Sequence, residues 1–123
     1  MPSIPIFIIL LERDLERVNH VNNNLKPLLE DPIIFPAIDG KTDQIESIMK
    51  RENLEISNSF KEKALRGQIG CYLSHYLLWK HIVDSNISEA IIFEDDANIT
   101  DTFYNSLNKI KEELPVDYKF LYL

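Results

Sequence analysis

The sequence predicts an α/β fold, a mainly parallel sheet flanked by helices. Short apolar runs alternate with segments whose apolar residues recur at helical spacing. The first run, Ile4–Leu11, carries no polar side chain, which is typical of a strand covered by helices on both faces. A later run, Ala90–Phe93, leads straight into three carboxylates. The predicted order is β-α-β-α-α-β-α-β, in a single domain over residues 1–123.

The first helix is predicted to follow directly on the first strand. Asp14 can accept a hydrogen bond from the first helical turn and so cap the helix. Its apolar residues recur every three or four positions: Leu15, Val18, Val21, Leu25 and Leu28. Because proline has no amide hydrogen, Pro27 should weaken the end of this helix.

A short strand and a short helix come next. The run Ile33–Phe35 predicts a second strand that ends at Pro36, and Asp39-Gly40 signals a turn. Asp43 stands three residues before Glu46, a spacing that predicts a capping box and a helix as far as about residue 52.

The second half of the chain contains the longest predicted helix, Gln68 to about Ser85. The strand Ala90–Phe93 follows it. Thr100 or Asp101 is then expected to cap a helix that ends at Leu114, before Pro115. Tyr118–Leu123 predicts a final strand. We expect the chain to be truncated after it, since no helix follows to cover it.

Composition excludes several classes of protein. Thirteen basic against twenty acidic residues give a net charge of −7, so nucleic acid is not an expected partner. The single Cys71 cannot form an internal disulfide, and with three separated histidines it shows no zinc spacing. The run at residues 4–11 is too short to cross a bilayer and lacks the flanks of a signal peptide. We therefore expect a cytoplasmic protein, peripheral to the inner membrane at most.

The acidic segment Glu94-Asp95-Asp96 is the most informative motif. Ligands bind at the carboxyl ends of parallel strands, and Mg²⁺ or Mn²⁺ often bridges one or two carboxylates to substrate phosphates. Because side chains alternate along extended backbone, Asp96 and Glu94 are expected on one side as metal ligands and Asp95 on the other. The alternative is a solvated acidic turn that caps the next helix.

Gly67, Gly70 and Ser74 form a stripe of small residues at the start of the longest helix. Such a stripe at a helix N-terminus lets an anionic ligand approach the backbone closely. The alternative interpretation is tight packing of the helix on the sheet, and spacing favours it slightly.

The other reactive or large side chains near this stripe have structural interpretations. His75 is expected to be a hydrogen-bonded structural residue. Cys71 is expected to be small and buried, since no base stands at a useful spacing to make it a nucleophile. Trp79 is expected in the core, and His20 and His81 in solvent.

Arg13 and Arg17 follow the first strand, four residues apart. A guanidinium group matches phosphate oxygens, so either could reach a phosphate at the strand ends. Arg13 lies nearer the strand end and is the better candidate. For Arg17 a solvated helix face is an equal alternative.

Four segments, in this order and spacing, resemble glycosyltransferase family 25. This family includes the lipooligosaccharide galactosyltransferases of Gram-negative bacteria and relatives of the collagen galactosyltransferases. The segments are Leu11-Glu12-Arg13, Phe35–Gly40, Gly67–His75 with Trp79, and Ala90–Ala97. The resemblance implies a GT-A-like (Rossmann-like) fold. It also implies transfer of a hexose, usually galactose, from a UDP-sugar donor to an oligosaccharide or lipooligosaccharide acceptor, with inversion.

The resemblance also implies a site. Glu94-Asp95-Asp96 matches the acidic, DXD-like motif of the family, where Mn²⁺ (or Mg²⁺) acts as a Lewis acid on the departing diphosphate. The implied metal ligands are Asp96 and Glu94. The implied donor-binding residues are Leu11, Arg13, Asp39, Gly67, Gly70, Ser74, His75, Glu94 and Asp95. Family members continue further, into an acceptor side, so the general base is expected outside this chain and no catalytic residue is assigned.

Two other functions stay open. The chain could be a donor- and metal-binding module without turnover, which would share this site and could pair into a homo-oligomer through an exposed sheet edge. It could instead be a receiver-like domain that holds Mg²⁺ for phosphoryl transfer. That class has an acidic pair after the first strand, where this sequence has Glu12-Arg13, and so it fits poorly.

Overall fold

A computed structural model describes residues 4–42, 45–57, 59 and 66–121. Within these ranges, strands β1 (Ile6–Leu10), β2 (Ile33–Pro36) and β3 (Ile91–Glu94) form a parallel sheet of order β2-β1-β3. The helices are α1 (Leu15–His20), α2 (Ile45–Arg51), α3 (Arg66–Asp84) and α4 (Phe103–Glu113). The predicted α/β fold with a parallel sheet flanked by helices is confirmed.

The central strand β1 is buried along its whole length, as its uninterrupted apolar sequence predicts. Alternate side chains point to opposite faces of the sheet. On one face Ile6, Ile8 and Leu10 pack with Val21, Leu25 and residues of α4. On the other face Phe7 and Ile9 pack with Leu78 of α3. The sheet therefore has a helical layer on each side, and α3 forms one of them.

A third apolar cluster fixes α2 against α3. Ile45 and Ile48 of α2 are buried with Leu73 of α3. Helix α3 buries a stripe that includes Gly70, Leu73, Ser74 and Leu78, so two of its three small residues, Gly70 and Ser74, lie inside the protein. Asp43, the predicted cap of α2, lies outside the described residues.

The first helix begins as predicted but changes its hydrogen-bond pattern. The Asp14 carboxylate accepts a hydrogen bond from Arg17 N at 3.3 Å, which confirms the cap. The helix is α-helical only to His20, and a π-helical turn (Val21–Leu25) and a 3₁₀ turn (Lys26–Leu28) follow. Pro27 has no amide hydrogen to continue an α-helical ladder.

The predicted final strand is wrong for the part the structure describes. Residues 118–121 pair with no strand there, and residues 122–123 lie outside it. The Tyr118 hydroxyl instead donates to Glu89 Oε2 at 2.6 Å. The Phe120 ring meets the edge of Trp79, with ring centroids 6.3 Å apart. Side-chain contacts thus hold this segment, in place of the backbone hydrogen bonds of the strand that the apolar spacing predicted.

The cap of α4 also differs from the prediction. The helix begins at Phe103, and its N-cap is Thr102, whose side chain makes no capping hydrogen bond. Thr100 accepts the Phe103 amide through its backbone oxygen at 3.1 Å, and its hydroxyl lies 2.8 Å from that of Thr102. No helix in the described ranges is both long enough and apolar enough to cross a membrane.

Candidate functional site

The ends of the three strands are linked at the carboxyl edge of the sheet. Leu11, directly after β1, donates its amide to Asp95 Oδ2 at 3.0 Å, just beyond β3. Ala37, directly after β2, donates its amide to Leu10 O at 2.9 Å. The three segments that the sequence predicted to carry a ligand site therefore meet at one edge, as parallel strands require.

Arg17 is the basic centre of this edge. Its Nη1 lies 3.1 Å from Asp95 Oδ1 and 3.3 Å from Asp96 Oδ2. The Asp95 side chain is 16% exposed and the Asp96 side chain 58%. Asp95 thus links β3 to Leu11 and Arg17 inside the protein, whereas the Asp96 carboxylate is accessible to a ligand. The sequence favours Arg13 because it lies nearer the end of β1. The main partners of Arg17 lie 78 and 79 positions further along the sequence, so local spacing does not predict them.

The expected alternation of the acidic side chains does not hold past Glu94. Strand β3 ends there, and a turn follows in which Ala97 N donates to Glu94 O at 3.1 Å. Asp95 and Asp96 consequently share Arg17 of α1, while Glu94 contacts α3 on the other face of the sheet. The prediction that Glu94 and Asp96 point one way and Asp95 the other is wrong.

Arg13 and Asp39 form an ion pair at the rim of this edge. Two nitrogens of the Arg13 guanidinium donate to the two carboxylate oxygens of Asp39, and the Nη2–Oδ1 distance is 3.1 Å. Asp39 also accepts the Lys41 amide at 2.9 Å. These contacts, the Arg13 hydrogen bond first, lower the pKa of Asp39.

The stripe of small residues on α3 holds the loop that follows β2. Ile38 N donates to Ser74 Oγ at 2.8 Å, and that hydroxyl donates to Gly70 O at 2.7 Å. A Cβ atom on Gly70 would lie 2.7 Å from Ile38 O and 2.9 Å from Gly40 N. This geometry favours the packing interpretation for Gly70 and Ser74, which position Asp39 through the loop. A direct contact of either residue with a donor stays a prediction.

Gly67 differs from the other two members of the stripe. A Cβ atom there would meet no heavy atom within 4 Å. The residue lies exposed, one position after the first residue of α3. Of the three small residues, Gly67 alone leaves room for a ligand beside the backbone.

His75, Cys71 and Glu94 form a compact cluster between α3 and the end of β3. The His75 Nε2 lies 3.0 Å from Glu94 Oε1, so the predicted hydrogen-bonded histidine is confirmed. The Cys71 thiol donates to the same oxygen at 3.6 Å. Contrary to the prediction, Cys71 is exposed rather than buried. Desolvation of the sulfur, and then the charge of Glu94, raise the pKa of the thiol and so disfavour a nucleophilic thiolate.

Two other large side chains lie elsewhere than expected. Trp79 is 48% exposed, because it follows Leu78 by one position on α3 and so leaves the buried stripe. The ring of His20 is half-buried, with Nε2 2.6 Å from Ala97 O and Nδ1 3.0 Å from the Asn24 amide. His81 is exposed, as predicted.

The donor atoms of the acidic segment fit a hard divalent cation in type. Asp96 presents an exposed carboxylate, and the Glu94 side chain is 53% exposed. Both oxygens of Asp95 are already engaged, one by Leu11 and one by Arg17. Mg²⁺ and Mn²⁺ sites with one or two protein carboxylates, completed by substrate phosphates, match this supply of oxygen ligands.

Comparison with known proteins identifies a family for this chain. The model for "Glycosyltransferase family 25 (LPS biosynthesis protein)" matches residues 3–123. Procollagen galactosyltransferase 2 of Mus musculus is 30% identical, over 96% of this chain and 20% of that protein. A glycosyltransferase 25 family member of Aedes aegypti is 31% identical, over 88% of this chain and 18% of that protein.

A third relative bears a different description. A protein named probable inactive glycosyltransferase 25 family member 3, of Rattus norvegicus, is 26% identical, over 89% of this chain and 20% of that protein. The chain spans about a fifth of the length of the curated relatives it matches.

Proposed function

The chain belongs to glycosyltransferase family 25, and from this premise we propose that it binds a UDP-sugar at the carboxyl edge of its sheet. The reaction would be transfer of a hexose, galactose first, to a glycan acceptor with inversion. One observation supports the donor site above all: the exposed carboxylate of Asp96 stands beside Arg17 where all three strands end. That position combines oxygen ligands for a cation with a guanidinium for a diphosphate.

The proposed roles follow from the contacts of each residue. Asp95 fixes the end of β3 to Leu11, so that its neighbours keep their positions. Arg17 and Arg13 would bind the diphosphate, and Gly67 would leave space for it beside the first turn of α3. Asp96 would hold Mn²⁺ or Mg²⁺, which supplies Lewis-acid stabilisation of the leaving diphosphate. Glu94, the second expected ligand, would join it only by leaving His75 and turning away from α3. No general base is assigned.

We also propose an acceptor, a cellular location and an oligomeric state. The family description names LPS biosynthesis, so a lipooligosaccharide is the first acceptor to test. A cytoplasmic position, peripheral to the inner membrane, would suit that acceptor. A homo-oligomer would use the edge strand β2, where Ile33 is 47% exposed.

A donor-binding module without turnover is the second candidate. Relatives named as inactive cover most of this chain, at 26% identity in the rat protein. The two candidates share the donor site and differ in turnover alone. The receiver-like alternative gains nothing from the family match.

Calorimetric titration of the folded chain tests the donor site. UDP and UDP-galactose would be titrated with and without Mn²⁺, and ADP would serve as the comparison nucleotide. We expect uridine-selective binding that strengthens with Mn²⁺. No binding by a chain with a normal circular dichroism spectrum would refute the donor site. Release of UDP in the presence of lipooligosaccharide would then separate the transferase from the module.

A pair of variants tests the metal ligand. Asp96→Asn removes the exposed carboxylate of the site, and Asp101→Asn removes an exposed carboxylate nearby in sequence that the site does not use. We expect only Asp96→Asn to abolish the effect of Mn²⁺ on UDP binding. Equal Mn²⁺ dependence in both variants would remove Asp96 from the metal site.

A further inference from the structure

We propose that Cys71, His75 and Glu94 form a binding site for a thiophilic divalent cation of the Zn²⁺ class. The ligand atoms of the three side chains all lie within 4.8 Å of one another. In the described ranges they are the one group of three metal-binding side chains that meets this distance. The set combines sulfur, nitrogen and oxygen, unlike the oxygen ligands of the acidic segment.

The distances are close to those of a tetrahedral zinc site. Zn–S bonds of about 2.3 Å and Zn–N or Zn–O bonds of about 2.0–2.2 Å place sulfur and oxygen ~3.5 Å apart, and nitrogen and oxygen ~3.3 Å apart. In the structure Cys71 Sγ and Glu94 Oε1 are 3.6 Å apart, and His75 Nε2 and the same oxygen are 3.0 Å apart. Both distances to the Glu94 oxygen therefore lie within a few tenths of an ångström of the tetrahedral values.

The backbone holds two of the three ligands in place. Cys71 and His75 lie four positions apart on α3, so they share one face of that helix. Between them Ser74 is 1% exposed and bonded to the loop after β2, which fixes the rotation of the helix. Glu94 ends β3, whose register with β1 is set by the sheet. The helix and the strand that carry the three ligands are therefore already in position before an ion binds.

The site is accessible, and its chemistry selects the ion. Cys71 is exposed, and the side chains of His75 and Glu94 are 27% and 53% exposed. Sulfur and imidazole ligands favour Zn²⁺ over Mg²⁺ and Mn²⁺. Three protein ligands leave a fourth position open, to water or a ligand. The sequence pattern gave no zinc spacing, because the third ligand comes from a different element.

Cobalt and zinc titrations of the chain without nucleotide test this site. Co²⁺ bound to a thiolate gives a sulfur-to-metal charge-transfer band in the near ultraviolet, which oxygen ligands do not give. We expect this band at one equivalent of Co²⁺, its displacement by Zn²⁺, and a Zn²⁺-dependent rise in thermal midpoint, because the ion binds the folded state. Absence of the band from the folded chain would overturn the proposal.

Variants locate the ion. Cys71→Ser and Glu94→Gln alter exposed side chains and should each weaken Zn²⁺ binding by at least about tenfold. Loss of a residue that merely hydrogen-bonds a metal ligand already costs about that much affinity, and loss of a ligand itself should cost more. Glu55→Gln and His81→Gln, exposed residues outside the cluster, should leave the affinity unchanged. Zn²⁺ affinity that survives Cys71→Ser would overturn the proposal.

The two metal proposals fail separately. Glu94 is common to both, so the separating variants are Cys71→Ser and Asp96→Asn. Cys71→Ser should lose Zn²⁺ and keep Mn²⁺-dependent UDP binding, whereas Asp96→Asn should do the reverse. Zn²⁺ binding lost in Asp96→Asn but kept in Cys71→Ser would place the ion on the acidic segment and refute this site.

Discussion

The carboxylate of Asp95 accepts the backbone amide of Leu11 at 3.0 Å and so ties the end of β3 to the end of the central strand. The same carboxylate binds Arg17 of α1 at 3.1 Å. One side chain in the acidic segment therefore has a structural task that its neighbour Asp96, 58% exposed, does not share.

Replacement of Asp95 should destabilise the fold. Asp95→Ala leaves the half-buried Leu11 amide without its acceptor, and an unsatisfied backbone donor costs about 1–3 kcal/mol. Asp117→Ala, at an exposed aspartate in the turn after α4, is the matched control. Urea unfolding measures both. Equal free energies of unfolding for the two variants would contradict the role assigned to Asp95.

Two glycines of α3 should respond oppositely to the same substitution. In Gly70→Ala the new methyl group would lie 2.7 Å from Ile38 O and 2.9 Å from Gly40 N. Backbone atoms cannot rotate away, so we expect a loss of about 1–3 kcal/mol. Gly67→Ala meets no atom within 4 Å and, because alanine is less flexible than glycine in the unfolded chain, should stabilise the protein by about 0.4–1 kcal/mol. Thermal unfolding distinguishes the two, and a stable Gly70→Ala would show that the loop after β2 does not pack as described.

The Arg13–Asp39 pair should give the chain an acid-sensitive increment of stability. Hydrogen bonds from Arg13, and then from the Lys41 amide, lower the pKa of Asp39 in the folded state. The folded state therefore binds fewer protons than the unfolded state. The resulting stability is present above the unfolded pKa of about 3.9 and is lost as the pH falls through the folded pKa.

Comparison of wild type with Asp39→Asn measures this increment. The difference in free energy of unfolding should be constant from neutral pH to about pH 5 and should shrink at lower pH. Asp117→Asn corrects for the titration of an ordinary exposed carboxylate. A difference that does not change between neutral and acid pH would exclude the ion pair as its source.

The end of α3 predicts a preference for glycine. Asn86 has a φ of 55°, and its amide donates to Val83 O at 3.1 Å. The Ile87 amide reaches Ile82 O at 3.1 Å, which completes a Schellman motif. A left-handed conformation costs an alanine about 1 kcal/mol, whereas glycine adopts it freely.

Asn86→Ala should therefore lower the free energy of unfolding by about 1 kcal/mol, and Asn86→Gly should leave it equal or slightly higher. Asn105→Ala removes the same side chain from an exposed position inside α4, where no such cost applies. Differential scanning calorimetry of the three variants compares them. Similar midpoints for Asn86→Ala and Asn86→Gly would show that the motif is not held in solution.

The sequence pattern predicted a structural feature correctly where that feature depends on residues close together in the chain. The uninterrupted apolar run of β1 predicted a strand buried on both faces. The position of Asp14 directly before α1 predicted that its carboxylate caps this helix. The spacing of α3 predicted a long helix, and the four motif segments together identified the family. Each of these features depends on neighbours within a few positions or on the linear order of the chain.

Features that depend on distant partners could not be predicted in this way. The spacing of residues 118–121 is compatible with a strand, yet Tyr118 and Phe120 bind side chains 29 and 41 positions earlier in the sequence. Cys71 was expected to be buried, and its exposure follows from which stripe of α3 faces the sheet.

The sequence by itself determined the type and order of the elements from β1 to α4 and the residues that carry oxygen ligands. Tertiary structure alone decided the side to which each acidic residue turns. Arg17 draws Asp95 and Asp96 toward α1, and His75 holds Glu94 against α3. The physical reason is that β3 ends at Glu94. Past that point no pleat fixes the side chains, and charges from other elements orient them.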